Sequence, residues 1–507
     1  MKSLLHTLVV CGLLLMAACA CAQPFPHVIW DRSGVGDSSL YGYKILPLGD
    51  QNDDGYADWA VWAAGTIYGG TQPGYVEFFH GGNPPSTTPY RTLRGVVGQY
   101  SLVFAEVVGD LNGDRYTDWL VAMRPASGTL TDQIQIHFGG PGADTLPDLE
   151  FSLAPNCPLW GMGDFNGDGF DDLFVFDAET RLPRVYYGGN PMDTIPDWPT
   201  GNHPIGSQAL PWSFGDLNGD GYSDYVSADV SSNTTYIFLG GAHPDTVPAY
   251  TWPNFGVYGI VNSLNGDRFD DMLCYVASGV VGVSFGGPNL HTTADAQLSW
   301  ACSGGPSDAI GVGDINRDGY NDVVLLRNYC ANAGWGVLSL YLGHAWLNPQ
   351  PVWTIEGRGW QNLVSIQTAA GLGDVNGDSI DDFAIGAWDD LDFDGWSGRC
   401  IIVAGDTMLR VDARDVPVAI PRTLEVAVYP NPFNSQATVS LDVTWGVRAV
   451  TLTTYNLLGQ QVARQIMRGT PGTVRYAYDA HDLTSGVYLL RVQAGSFSTT
   501  QKLMILK

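Results

Sequence analysis

One nine-residue pattern constrains this 507-residue chain more than any other feature. Its clearest copy is Asp164-Phe165-Asn166-Gly167-Asp168-Gly169-Phe170-Asp171-Asp172. Side-chain oxygens stand at positions 1, 3, 5 and 9, a glycine at 6 and an aromatic at 7. The spacing recurs at Asp50–Asp58, Asp110–Asp118, Asp216–Asp224, Ser263–Asp271, Asp314–Asp322 and Asp374–Asp382. One Asp/Asn/Gly cluster is an ordinary turn. Seven in one register call for a shared chemistry. Alternate residues of a tight loop aim their side chains at one centre, and a hard cation such as Ca²⁺ gathers roughly six to eight oxygens in this way.

The expected metal ligands follow position by position. Position 1 is Asp50, Asp110, Asp164, Asp216, Asp314 and Asp374, with Ser263 in the fifth loop. Position 3 is Asn52, Asn112, Asn166, Asn218, Asn265, Asn316 and Asn376. Position 5 is Asp54, Asp114, Asp168, Asp220, Asp267, Asp318 and Asp378. Position 9 is Asp58, Asp118, Asp172, Asp224, Asp271, Asp322 and Asp382. Up to seven Ca²⁺ are expected, and the Ser263–Asp271 site is the weakest because it lacks one carboxylate. Gly55, Gly169, Gly221 and Gly319 permit a sharp turn at position 6. Arg115, Arg268 and Ser379 replace that glycine, so those loops take the turn under strain or bend differently. An EF-hand would need Glu at position 12 and flanking helices. Here short apolar runs follow, such as Leu173-Phe174-Val175-Phe176. They read as strands, so each loop joins two strands of a hairpin.

From 23 to 406 the loops sit in an internal repeat averaging 54 residues between first ligands. Each unit runs strand, loop, strand, then a third strand ending in glycines (Phe138-Gly139-Gly140, Tyr187-Gly188-Gly189). A Pro-rich turn and a Trp-bearing fourth strand follow, as at Trp198, Trp252, Trp300 and Trp353. Four strands repeated seven times predict an all-β, seven-bladed β-propeller. The last unit stops before its Trp strand, while Val28-Ile29-Trp30-Asp31 precedes the first. The N-terminal segment is therefore expected to complete the seventh blade, the rival being a loose arm at 23–40. The pattern resembles the FG-GAP repeats of integrin α subunits and their bacterial relatives. That resemblance implies calcium loops on one face and ligand docking on the opposite one.

The formal net charge is −28. It argues against nucleic acid and anionic membrane as partners. Six Asp at position 1 and seven at each of positions 5 and 9 supply twenty of the 52 acidic residues, so seven divalent cations would halve the charge. Repulsion within each metal-free loop predicts a fold that depends on metal.

Residues 1–22 read as a signal peptide, with Lys2, an apolar Leu8–Met16 run and a small-residue Ala20-Cys21-Ala22 end. Lipoprotein processing at Cys19 is the alternative. No later segment is long and apolar enough for a transmembrane span. Beyond the signal, Cys157, Cys274, Cys302, Cys330 and Cys400 are scattered, which argues against a disulfide framework and allows one bridge.

A linker is expected over 407–423. Residues 424–507 read as a small immunoglobulin-like β-sandwich of about seven short strands. Its Tyr429-Pro430-Asn431-Pro432-Phe433-Asn434, Tyr455-Asn456-Leu457-Leu458-Gly459-Gln460 and Ser485-Gly486-Val487-Tyr488 segments resemble the C-terminal sorting domain of the type IX secretion system. The resemblance implies passage through the periplasm and that machinery to a secreted or outer-surface location. The alternative is a generic accessory domain.

No catalytic constellation emerges: there is no HExxH, no GxSxG, and the paired carboxylates belong to the repeats. The acidic stretch 389–396 could serve as an eighth cation site, a binding loop or a solvated loop. Trp212, Tyr258, Trp335 and Trp360 are candidate stacking residues, with core packing as the ordinary alternative. The leading expectation is a secreted, calcium-stabilised propeller that binds an extracellular glycan or protein in adhesion. A secreted hydrolase or lyase on a propeller scaffold, and a purely structural surface protein, are the alternatives.

Overall fold

The computed structural model describes residues 26–409 and 426–507, apart from 35–38, 66–72, 127–130, 178, 181, 199–208, 230–231, 301, 303–304, 331–335, 346, 357–365, 389–390, 393–394, 444–448, 469–471 and 495–496. The proposed signal, most of the linker, Trp335, Trp360 and the side chains of Trp212 and of 389–396 fall outside the described residues. The chain divides into two compact units, Met1–Asp412 and Ala413–Lys507. Every regular element among the described residues is a β-strand.

The first unit is a ring of radial antiparallel sheets. The sixth shows the plan: Asp308–Gly313, Asp322–Arg327, Val337–Tyr341 and Trp353–Glu356 pair in sequence order from inside to outside. The inner strands of successive sheets are Tyr41–Gly49, Tyr100–Gly109, Leu159–Gly163, Ala209–Gly215, Val257–Val261, Asp308–Gly313 and Thr368–Gly373. Each packs on the next, and the last packs back on the first, so the circuit closes. Closure leaves each sheet only a short inner edge, sheltered in the middle of the ring.

The second strand of each sheet shows why the sequence folds this way. Asp58–Ala63 and Asp172–Asp177 are buried along their whole length. A strand covered on both faces reads as a continuous apolar run, and here neighbouring sheets do the covering. The core is accordingly a set of layers between blades. One layer joins Leu46, Trp62 and Phe78 of the first blade to Leu102, Trp119 and Val121 of the second.

The N-terminal strand His27–Ser33 pairs antiparallel with Arg399–Ala404, placing Trp30 opposite Ile402. It thus completes the last blade. Trp30 is 3% exposed and meets Trp59 and Phe79 edge-on at 5.4 and 5.0 Å. Its Nε1 donates to the Ser86 carbonyl at 2.9 Å. A Cys302–Cys330 disulfide forms, while Cys157, Cys274 and Cys400 are buried and take no part in that bridge.

The outer strands follow the expected pattern less closely. The third blade's is reduced to one bridge, Val185 to Trp198. Trp300 lies just past strand Ala296–Ser299. The first two blades end in Arg91–Arg94 and Leu149–Leu153, neither with a Trp. Tyr258 is half-buried against a core layer, so it is packed rather than presented.

Among its described residues the second unit is a sandwich of seven strands. Val426–Tyr429, Gln436–Val443 and Gly472–Asp479 form one sheet; Gln461–Arg468, Ala449–Tyr455, Gly486–Ala494 and Phe497–Ile505 form the other. Val439, Leu452, Tyr478, Leu490, Val492 and Leu503 fill the space between them.

Candidate cation loops

All seven loops join an inner strand to the second strand, and the position-9 Asp opens the second strand each time. The loop at Asp164 shows how the backbone is held. Asp164 Oδ1 accepts the N–H of Gly167 at 2.6 Å, and Oδ2 accepts that of Gly169 at 2.9 Å. Asn166 Oδ1 accepts the Asp168 N–H at 2.9 Å, and Asn166 Nδ2 donates to Asp168 Oδ2 at 2.8 Å. The bond from the position-6 N–H to the first carboxylate recurs in the loops at Asp50, Asp110, Asp216, Asp314 and Asp374. Side chains at positions 1, 3 and 5 therefore turn into the loop they belong to. Arg115 and Ser379 take the left-handed turn in place of glycine, at φ 74° and 65°.

The fifth loop departs. Ser263 Oγ lies 3.0 Å from Asn265 Oδ1 and 3.2 Å from Asp267 Oδ1. A hydroxyl proton stands where the other loops carry a carboxylate. Arg268 is not among the residues with positive φ, so this loop bends differently.

The position-9 aspartates are wholly buried. Asp172 Oδ2 accepts the Phe165 N–H at 2.9 Å, and Oδ1 accepts the Gly188 N–H at 2.9 Å. Gly188 begins the glycine pair after the third strand. The same bond joins Gly81, Gly139, Gly240, Gly286, Gly343 and Gly405 to their own position-9 carboxylates. Sequence reading found both motifs and missed that one carboxylate ties them. Their joint recurrence in every unit was the available signal.

Burial pushes the carboxyls of Asp118, Asp172, Asp224, Asp271 and Asp382 up to about 7 and that of Asp322 to about 8. Negative charge at neighbouring loop aspartates adds to the effect. Asp58 is also raised by burial, and His80 Nδ1 lies 3.2 Å from it. Among the ion pairs of the described residues, no Lys or Arg meets a position-9 carboxylate.

These carboxylates fit a hard cation: they are oxygen donors, desolvated and crowded by like charge. Among the described residues no three Asp, Glu, His or Cys side chains enclose an ion by themselves. A cation here would also draw on the position-3 amide oxygen, peptide carbonyls and water, as hard-cation loops do. Bound there, it would offset most of the loop's negative charge.

Charge on the seven inner strands is confined to Lys44, Glu106 and Asp308. Lys44 Nζ pairs with Glu106. Asp308 is exposed, yet surrounding protein pushes its carboxyl up to about 6.

Residues 164–249 match the family model described as an FG-GAP-like repeat, and residues 427–506 match the secretion system C-terminal sorting domain. The chain is thus an all-β protein with a propeller unit bearing FG-GAP-like repeats and a C-terminal sorting domain. That domain marks it for export through type IX secretion to the cell surface or the extracellular space. It is 26% identical over 232 residues to integrin alpha-5 of Xenopus laevis, a match covering 40% of this chain and 21% of the relative. It therefore spans about a fifth of that relative's length. Among solved structures, a β-fructofuranosidase from Schwanniomyces occidentalis complexed with fructosyl-erythritol aligns at 9% identity and TM-score 0.32, covering 95% of this chain and 91% of its own. Dimeric latent PorU from Porphyromonas gingivalis aligns at 11% identity and TM-score 0.15, covering 94% and 34%. At these TM-scores neither likeness says anything about the fold. No helix among the described residues is long and apolar enough to cross a membrane.

Proposed function

We propose that this chain is an exported calcium-binding propeller that attaches to a glycan or protein outside the cell. The ligands of each cation are the residues at positions 1, 3, 5 and 9, with the Ser263 loop weakest. The observation that carries the reading is the set of buried position-9 carboxylates, which no Lys or Arg among the described residues neutralises. A divalent cation supplies the missing charge at every loop at once. The resemblance to integrin α repeats supports adhesion as the purpose. The hydrolase or lyase alternative wants a free carboxylate pair in a cleft, and on the inner strands Glu106 is committed to Lys44.

Calcium titration of the full chain by calorimetry, followed by glycan and protein arrays with and without chelator, tests both halves. Uptake of five to seven cations is expected, with array binding that chelator abolishes. No uptake would end the calcium reading, and no ligand on either array would end the adhesion reading.

A further inference from the structure

The cation loops are bonded to one another around the ring. At five of the seven junctions the position-8 N–H of one loop donates to the position-1 carbonyl of the loop before it. Asp171 reaches Asp110 at 3.0 Å, Ser223 reaches Asp164 at 2.8 Å and Asp270 reaches Asp216 at 3.0 Å. Ala57 reaches Asp374 at 2.9 Å and so joins the first loop to the last.

At alternate junctions a second bond is added. Where position 8 is Asp, its Oδ2 accepts the position-1 N–H of the preceding loop. Asp171 accepts from Asp110 at 2.8 Å, Asp270 from Asp216 at 2.9 Å and Asp381 from Asp314 at 2.8 Å. Position 8 in the other loops is Ala57, Thr117, Ser223 or Asn321, none a carboxylate. The residue before position 1 makes room for the carboxylate, since a Cβ at Gly109 or Gly313 would collide with Asp171 or Asp381.

We propose that Asp171, Asp270 and Asp381 are positioning residues that yoke the loops into three pairs, second with third, fourth with fifth and sixth with seventh, so that each pair takes up its cations together. This rests on the calcium reading above. The physical route is short. In each pair the stapled N–H belongs to the residue carrying the first ligand of one site. The stapling carboxylate is next in sequence to the position-9 ligand of the other. A cation that fixes either loop lowers the ordering cost for its partner, which is positive coupling.

The test compares calcium titrations of the full chain and its single variants. Asp171→Ala is expected to weaken two sites together, at least tenfold each, so that the tight class shrinks by two. Asp171→Asn keeps an oxygen that accepts the Asp110 N–H and is expected to restore both. Ser223→Ala, at an unstapled junction, is expected to leave the tight class unchanged. Loss of one site or none in Asp171→Ala, or no rescue by Asp171→Asn, overturns the pairing. A wild type that binds no calcium overturns the calcium reading instead. Amide exchange in calcium-loaded wild type gives a readout that needs no variant. The N–H groups of Asp110, Asp216 and Asp314 should exchange at least tenfold more slowly than those of Asp50, Asp164 and Asp374, and equal rates overturn the pairing.

Discussion

A position-9 aspartate performs two tasks with one carboxylate. It faces the loop as a candidate ligand, and it holds two backbone N–H groups that the fold has buried. Asp172→Ala leaves both donors without an acceptor, and each such group costs about 1–3 kcal/mol. The variant should therefore unfold at lower denaturant by roughly 2–5 kcal/mol even in chelator, measured by the unfolding midpoint. A loss seen only with calcium present would show that the carboxylate acts through metal alone. His137 offers a pH test at a side chain that is not a loop residue, its strand partner Trp119 adjoining Asp118. It lies buried and flat on Trp119 at 4.0 Å, and desolvation lowers its pKa from 6.5 to about 4. The folded state thus holds it neutral, while the unfolded chain protonates it below 6.5. Its contribution is complete above pH 6.5 and is lost as pH falls toward 4, by at most about 3 kcal/mol. His137→Phe in saturating calcium should flatten that acid limb of the unfolding midpoint relative to wild type. Positions 1, 3, 5 and 9 were legible because seven copies share one register. The second task of position 9 was not, because its glycine partner arrives only after the hairpin closes. The staple at position 8 was hidden for a similar reason: its partner lies in the preceding repeat.

At the scale of elements, the closing strand was readable from two incomplete ends. A Trp-bearing segment preceded the first unit, and the last unit lacked one. The outer strands were harder to place. They are partly exposed, as in Leu149–Leu153, so burial constrains their sequence weakly. The inner layers impose alternation or continuous apolarity, and those strands fell where the pattern put them. Trp30 gives the closing strand its hold, seated between Trp59 and Phe79 with its indole N–H satisfied. Trp30→Ala should cost about 3–5 kcal/mol by cavity formation and lost ring contacts. A chain lacking 23–33 should in addition self-associate on size exclusion, because strand Arg399–Ala404 then presents an unpaired edge. A monomeric deletion variant with an unchanged melting temperature would assign closure of the ring to the contacts between inner strands alone.

For the whole molecule, the governing quantity is charge held at close quarters. Twenty of the 52 acidic residues behind the net −28 sit in loops that succeed one another around one ring. Without metal, the folded state draws those carboxylates together and the unfolded chain lets them separate, so repulsion favours unfolding. Two agents relieve it in distinguishable ways. Monovalent salt screens the exposed share, with a Debye length of about 10 Å at 0.1 M, and should raise the melting temperature of the metal-free protein in a graded way. On the proposed reading calcium binds only the folded state, so each site would add RT ln(1 + [L]/Kd), about 2.7 kcal/mol at a hundred times Kd. Melting temperature should climb with the logarithm of free calcium and keep climbing past the point where salt has no further effect. Magnesium should reproduce little of the rise, since it demands near-octahedral geometry and dehydrates reluctantly. Once calcium is saturating, added sodium chloride should change the melting temperature less than it does without metal, because about half of the net charge is then already offset. Scanning calorimetry across the calcium and salt series reads all of these trends. Equal gains from magnesium and calcium, or a salt response undiminished by calcium, would mean that diffuse charge rather than seated cations governs stability.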